Sequence, residues 1–181
     1  FARGERPGSS AIAGWTPAET LVYLQNLPRE IEGPGCAWLD AALGLTGRGN
    51  HEILVEWLTL AAGSDYEPAF PRLREVLLGL GITEAMPNPF LAPDALAKAG
   101  LDGPSIRITN PLVDEESVLR TSLRPGLLRA IAFNESHRRT NARLFEIGHV
   151  YPPGSGDLPD EHEVLCVVLA GWITRLRTSP M

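Results

Sequence analysis

The sequence predicts an α+β fold, a mostly antiparallel sheet flanked by helices, on three observations. Leu73, Val76, Leu77 and Leu80 recur at helical spacing. Residues 144–151, LFEIGHVY, alternate as a half-buried strand does, with Phe145, Ile147 and His149 on one side. Residues 164–170 form a short, β-branched, nearly continuous apolar run, expected as a central strand buried on both faces. These elements do not follow strict βαβ alternation, so a doubly wound parallel sheet is disfavoured.

Before residue 71 the signals are helical and local. Thr16-Pro17-Ala18-Glu19 supplies a threonine at N-cap, a proline at N1 and a glutamate at N3, predicting a helix to about Asn26. Asn50 similarly caps a helix whose face is Ile53, Leu54, Trp57, Leu58 and Ala61, with Gly63 expected to stop it. Residues 1–70 are therefore expected to be mainly helical or poorly ordered, and they carry four arginines against nine acids. They remain an unassigned N-terminal segment.

From Pro71 a helix is predicted up to Gly81, which suits the left-handed C-terminal position. Residues 86–90, MPNPF, must be extended, because each proline biases its predecessor away from helix. A helical turn follows at 93–99, and then SIRIT at 105–109, which reads as a strand. Pro125 opens a helix carrying Leu127, Leu128 and Ile131 and reaching about Asn134.

Composition narrows the function classes. The net charge is −6, so the chain as a whole is no nucleic-acid coat, although a local basic patch is allowed. Lys98 is the only lysine. Between Arg120 and Arg143 there are six arginines and one acid, Glu135. Guanidinium forks suit phosphate or carboxylate partners, and equally they suit the protein's own carboxylates. Cys36 and Cys166 lie in no metal-ligand spacing, and a reducing compartment fits them. No eighteen-residue apolar run or signal peptide is present, so a cytoplasmic location without a membrane span is expected. The ends of the sequence read as those of a fragment.

Several motifs have ordinary readings. GLTGRGN at 44–50 lacks the GK[ST] ending of a phosphate loop and reads as a connection. Asn134-Glu135-Ser136 spells a glycosylation triplet, which carries no weight without a secretory signal. Asp157, Asp160, Glu161, His162 and Glu163 read as a solvated loop rather than a metal site. Cys36 and His51 would be needed for an independent hydrolase, with no oxyanion hole or third group evident.

Several blocks in fixed order carry a resemblance. They are LREVLLGLGITEAMPNPF, then NPL-x-x-E-x-S-V-L-R-T-S-L-x-P-G-L-L, then N-x-x-x-R, then LFEIGHVY, then an apolar strand ending in Ala-Gly. Together, over residues 71–171, they resemble the catalytic-like core of the bacterial phenylalanyl-tRNA synthetase β subunit. The resemblance implies a class II synthetase core, degenerate in catalysis, within a subunit that joins the catalytic α subunit as α2β2. It implies ATP and Mg2+ for the assembled enzyme, none on this chain alone, and tRNA-Phe as a partner through the assembly.

An active class II motif places an arginine after the strand matching LFEIGHVY, where it clamps the ATP α-phosphate; here Pro152 and Pro153 follow Tyr151. No catalytic residue is therefore expected in this chain. Arg120 and Arg124 are the candidates for an interface or a degenerate pocket, and Arg138, Arg139 and Arg143 for phosphate or RNA contacts. No metal ligand is assigned. The family's acidic Mg2+-associated helix, editing domain and anticodon-binding domain are not recognisable, and residues 172–181 depart from the family pattern. The alternative is a synthetase-derived RNA-binding or regulatory module without ligase activity. A core separated from its partner is expected to self-associate.

Overall fold

The computed structural model describes residues 7–12, 14–156 and 158–171. The chain divides into two compact units, Phe1–Val76 and Leu77–Met181. The predicted tail at 172–181 lies outside the described residues.

The first unit is helical, with α1 at Ser9–Ile12, α2 at Pro17–Gln25, α3 at Gly33–Leu43 and α4 at His51–Gly63. A further helix, α5 at Phe70–Gly79, runs through the division between units. The capping box at the start of α2 forms as expected: Thr16 Oγ1 accepts from the Glu19 amide, and the Glu19 carboxylate accepts from the Thr16 amide at 2.8 Å. Asn50 Oδ1 accepts from the amides of Glu52 and Ile53 and so starts α4.

The face read from the sequence of α4 is buried throughout, at Ile53, Leu54, Trp57, Leu58 and Ala61. Gly63 has a different task from the one its position suggests. It is the last residue of α4, while the left-handed residue is Asp65, with φ 48°, whose turn is closed by bonds from Asp65 and Tyr66 back to Ala62 and Ala61. At Gly63 a Cβ would sit 2.8 Å from the Arg29 carbonyl oxygen, so the glycine serves a close backbone approach.

The 44–50 loop is built structurally. Gly44, with φ 62°, ends α3, and Asp40 accepts from both the amide and the hydroxyl of Thr46 at 2.8 and 2.7 Å. Thr46 Oγ1 in turn accepts from the indole N–H of the fully buried Trp57 at 2.9 Å. The loop's polar groups thus satisfy one another around the core.

In the second unit, α5 ends in a Schellman motif: Ile82 donates to the Leu77 carbonyl, Gly81 donates to that of Leu78, and Gly81 has φ 74°. Leu80 lies past the helix and is exposed rather than continuing its apolar face. The strands are β1 at Thr83–Glu84, β2 at Phe90–Leu91, β3 at Val118–Leu119, β4 at Arg143–Val150 and β5 at His162–Leu169, with α6 at Ala95–Lys98 and α7 at Arg124–Ser136.

Two small sheets result. One has the order β1-β4-β5, with β4 and β5 antiparallel over eight pairs from Arg143↔Leu169 to Val150↔His162. Its first strand is parallel to β4 through Thr83↔Leu144 and Glu84↔Phe145, so this sheet is mixed rather than purely antiparallel. The other pairs β2 with β3 antiparallel. The structure is a mixed α/β arrangement of small sheets and helices.

Three elements differ from the sequence expectation. Residues 105–109 form no strand, only a single bridge from Arg107 to Val118. Among the described residues β5 is an edge rather than the centre, with Val167 and Leu169 exposed. The strand buried on both faces is β4, where Leu144, Phe145, Glu146 and Ile147 are all covered. An apolar run signals burial somewhere; its position in a sheet depends on which strands pair with it.

The helix α7 covers the three-stranded sheet by packing Leu127 and Ile131 on Leu144, with Cys166 and Val168 alongside. Leu128, expected on the same face, is partly exposed. A smaller cluster of Leu91, Leu96 and Val118 joins β2, α6 and β3.

Candidate functional site

The six arginines of residues 120–143 separate into two environments. Arg120 turns inward. It is 7% exposed, and its Nη1 lies 2.6 Å from Oε1 of Glu146, which is 2% exposed. Its Nε donates to the His149 carbonyl at 2.7 Å, while its own amide and carbonyl bond to Pro89 and Tyr151. One side chain and its backbone thus tie the 87–89 connection, β3's end and β4 together. Of the two readings open to the arginine cluster, Arg120 takes the one in which the protein's own carboxylate is the partner.

Burial pushes the Glu146 carboxyl above the ordinary glutamate range, opposed by the charge and hydrogen bond of Arg120. Its Oε2 is buried without a hydrogen-bond partner. Alternation along β4 hides this residue, because a charged side chain flanked by Phe145 and Ile147 is assigned to solvent. The available signal was Gly148, two residues on and therefore on the same face. A Cβ there would meet Arg120 Nη2 at 2.8 Å and Glu146 Oε1 at 3.0 Å, so glycine leaves the space the pair occupies. Gly148→Ala is expected to lower stability by about 1–3 kcal/mol, as overpacking does, measured by urea unfolding.

Arg124, at the first position of α7, is exposed and donates to the Ala99 carbonyl at 3.3 Å. Arg138, Arg139 and Arg143 are exposed and line one cavity of about 750 Å³ at the C-terminal end of α7, with Thr83, Thr140 and Asn141. Arg138 occupies the left-handed position of a Schellman motif, with φ 61°: Arg139 donates to the Asn134 carbonyl and Arg138 to that of Glu135. Left-handed geometry costs a residue with a Cβ about 1–2 kcal/mol, and glycine is the usual occupant. Sequence spacing selected the three arginines; Thr83 and Asn141 were missed because β1 and the 140–142 segment meet only in the folded sheet.

Beyond β4, Tyr151-Pro152-Pro153 is irregular backbone whose side chains bring no cation. His149 and Glu161 approach to 4.0 Å, and among the described residues no group of three or more His, Cys, Asp or Glu side chains is placed to hold a metal ion. Asp157 of the acidic stretch lies outside the described residues. Cys36 is fully buried, and burial pushes its thiol up, which opposes the thiolate a hydrolase would need. Among the described residues no helix is long and apolar enough to cross a membrane.

Comparison with known proteins bears on the same segment. The family model described as the phenylalanyl tRNA synthetase beta chain CLM domain matches residues 61–177. The chain belongs to this family. Among its relatives, the phenylalanine–tRNA ligase β subunit of Dehalococcoides mccartyi is 36% identical over 101 residues, covering 55% of this chain and 12% of the relative. That of Geobacter metallireducens is 42% identical over 106 residues, covering 55% and 13%. The chain thus spans about an eighth of the length of these curated relatives. A pyrrolysyl tRNA synthetase structure, Desulfitobacterium hafniense PylSc, is 20% identical, covering 65% of this chain and 47% of that one, at a TM-score of 0.34. So low a score places no element of the CLM-family fold.

Proposed function

We propose that residues 71–171 are a class II synthetase-like core of a phenylalanine–tRNA ligase β subunit, with a structural rather than a catalytic role. Residues 1–70 and 172–181 flank it as separate segments. The core packs on the catalytic α subunit in an α2β2 assembly that attaches phenylalanine to tRNA-Phe in the cytoplasm, using ATP and Mg2+ bound elsewhere in that assembly. The observation that carries this reading is the family match over residues 61–177. Pro152 and Pro153 after β4 support the non-catalytic part, since a proline offers no side-chain donor to a phosphate.

Co-expression tests it. The 181-residue chain, tagged and co-expressed with the phenylalanine–tRNA ligase α subunit of the same organism, is expected to retain that subunit through purification at moderate salt. Alone, it is expected to show no phenylalanine-dependent exchange of pyrophosphate into ATP. Failure to retain the α subunit, or activity of the isolated chain, would overturn the proposal.

A further inference from the structure

We propose that the cavity at the end of α7 binds the phosphate groups of an RNA chain or of a free polyphosphate, through Arg138, Arg139 and Arg143. The reading does not depend on assembly with an α subunit. It starts from what surrounds the cavity: three exposed guanidiniums and not one carboxylate among the lining residues. Ion pairs seen among the described residues include Arg72–Glu75, Lys98–Asp94, Arg120–Glu146 and His149–Glu161, and none of these four involves an arginine of the cavity.

An opposing field must be weighed, because α5 and α7 both end at this cavity, at Gly81 and Arg138. Each helix C-terminus contributes about half a negative charge. Three guanidiniums outweigh two such ends by about two charges, so the cavity favours an anion. Neutral donors complete it, since the Thr83, Thr140 and Asn141 side chains offer hydroxyl and amide N–H groups.

The shape of the donor set selects phosphate. Guanidinium forks match phosphate oxygens in pairs, and a cavity of about 750 Å³ has room for more than one phosphate. No aromatic side chain lines it, so there is no platform on which a base could stack, and recognition falls on the backbone rather than on sequence. Arg138 supplies an independent indication. It holds a left-handed conformation that glycine would occupy without strain, and strained residues of this kind cluster at ligand-binding and active sites.

Three variants of the full chain, with fluorescence anisotropy on a short labelled single-stranded RNA and competition by inorganic tripolyphosphate, test the proposal. Arg138→Gln/Arg139→Gln/Arg143→Gln is expected to weaken RNA binding at least tenfold. Its plot of log affinity against log salt should be shallower by about 2, since each neutralised phosphate contributes about 0.7 on a single strand. Arg107→Gln, an exposed arginine outside the cavity, is expected to bind as the unchanged chain does.

Arg138→Gly separates binding from capping, because it should raise Tm by about 2–4 °C while weakening RNA binding several-fold. Tripolyphosphate that binds and is lost in the triple variant, without RNA binding, supports the site and identifies a small phosphate compound as its ligand. Equal RNA and tripolyphosphate affinities for the triple variant and the unchanged chain would overturn the proposal. So would an Arg138→Gly protein that gains stability and keeps full affinity.

Discussion

Replacing Arg120 with alanine is expected to destabilise the second unit by about 3–5 kcal/mol at neutral pH, read from urea unfolding. The size follows from what is left behind. Glu146, 2% exposed and with one oxygen already unpartnered, would lose the guanidinium 2.6 Å away that compensates its charge. The bond to the His149 carbonyl is lost with it. Glu146→Ala should cost a similar amount through the opposite charge.

The two variants differ in their response to acid. A stranded Glu146 can take a proton, so the cost of Arg120→Ala should shrink as pH falls below the raised pKa of its carboxyl. A stranded Arg120 cannot lose its proton at any accessible pH, so the cost of Glu146→Ala should not fade in the same way. In the unchanged protein the sign is set by the raised carboxyl pKa. The folded state holds that proton more tightly than the unfolded chain, so this group's contribution is fully present below the ordinary glutamate pKa, about 4.3. It is lost as pH rises through the folded value. Below about pH 4.3 the unchanged protein and Glu146→Gln both carry a neutral side chain and should be closest in stability, and as pH rises through the folded value the unchanged protein should lose stability relative to Glu146→Gln; a relative gain with rising pH would contradict the assignment. Substituting both partners with apolar residues, as in Arg120→Met/Glu146→Leu, should restore much of the loss, because neither charge is then buried alone.

Trp57→Ala carries the second large effect, about 3–5 kcal/mol, through the cavity left by a fully buried indole. The residue also anchors polar structure. Its N–H satisfies Thr46 Oγ1 at 2.9 Å, and its ring meets Tyr66 edge-on with centroids 5.8 Å apart. Trp57→Phe keeps most of the volume and loses only the N–H bond, so it should cost much less, about 1–2 kcal/mol. Chemical denaturation followed by far-ultraviolet circular dichroism would order the three proteins. A Trp57→Ala protein as stable as its parent would show that the 44–50 loop and α4 are not held as described.

Neither variant touches the phosphate cavity directly. Arg138, Arg139 and Arg143 are exposed, so their substitution should change binding without comparable loss of stability. That contrast distinguishes the two groups of arginines within one short stretch of sequence. Arg120 contributes by being enclosed, and the later three by being open to a ligand.

The sequence by itself determined the features whose causes are local. Thr16 and Glu19, Asn50 and Gly81 mark helix ends because their hydrogen bonds or left-handed geometry involve residues a turn away. The ordered blocks from Leu73 to Gly171 likewise pointed to the family that the comparison over residues 61–177 bears out. Tertiary structure alone decided which strand is enclosed and which arginine is paired. Glu146 becomes an interior carboxylate only because Arg120 arrives from another strand into the room left by Gly148. β5, the more apolar strand, is an edge among the described residues, while β4 lies between β1 and β5. Hydropathy reports how much a segment gains from burial; long-range pairing sets which side chains receive it.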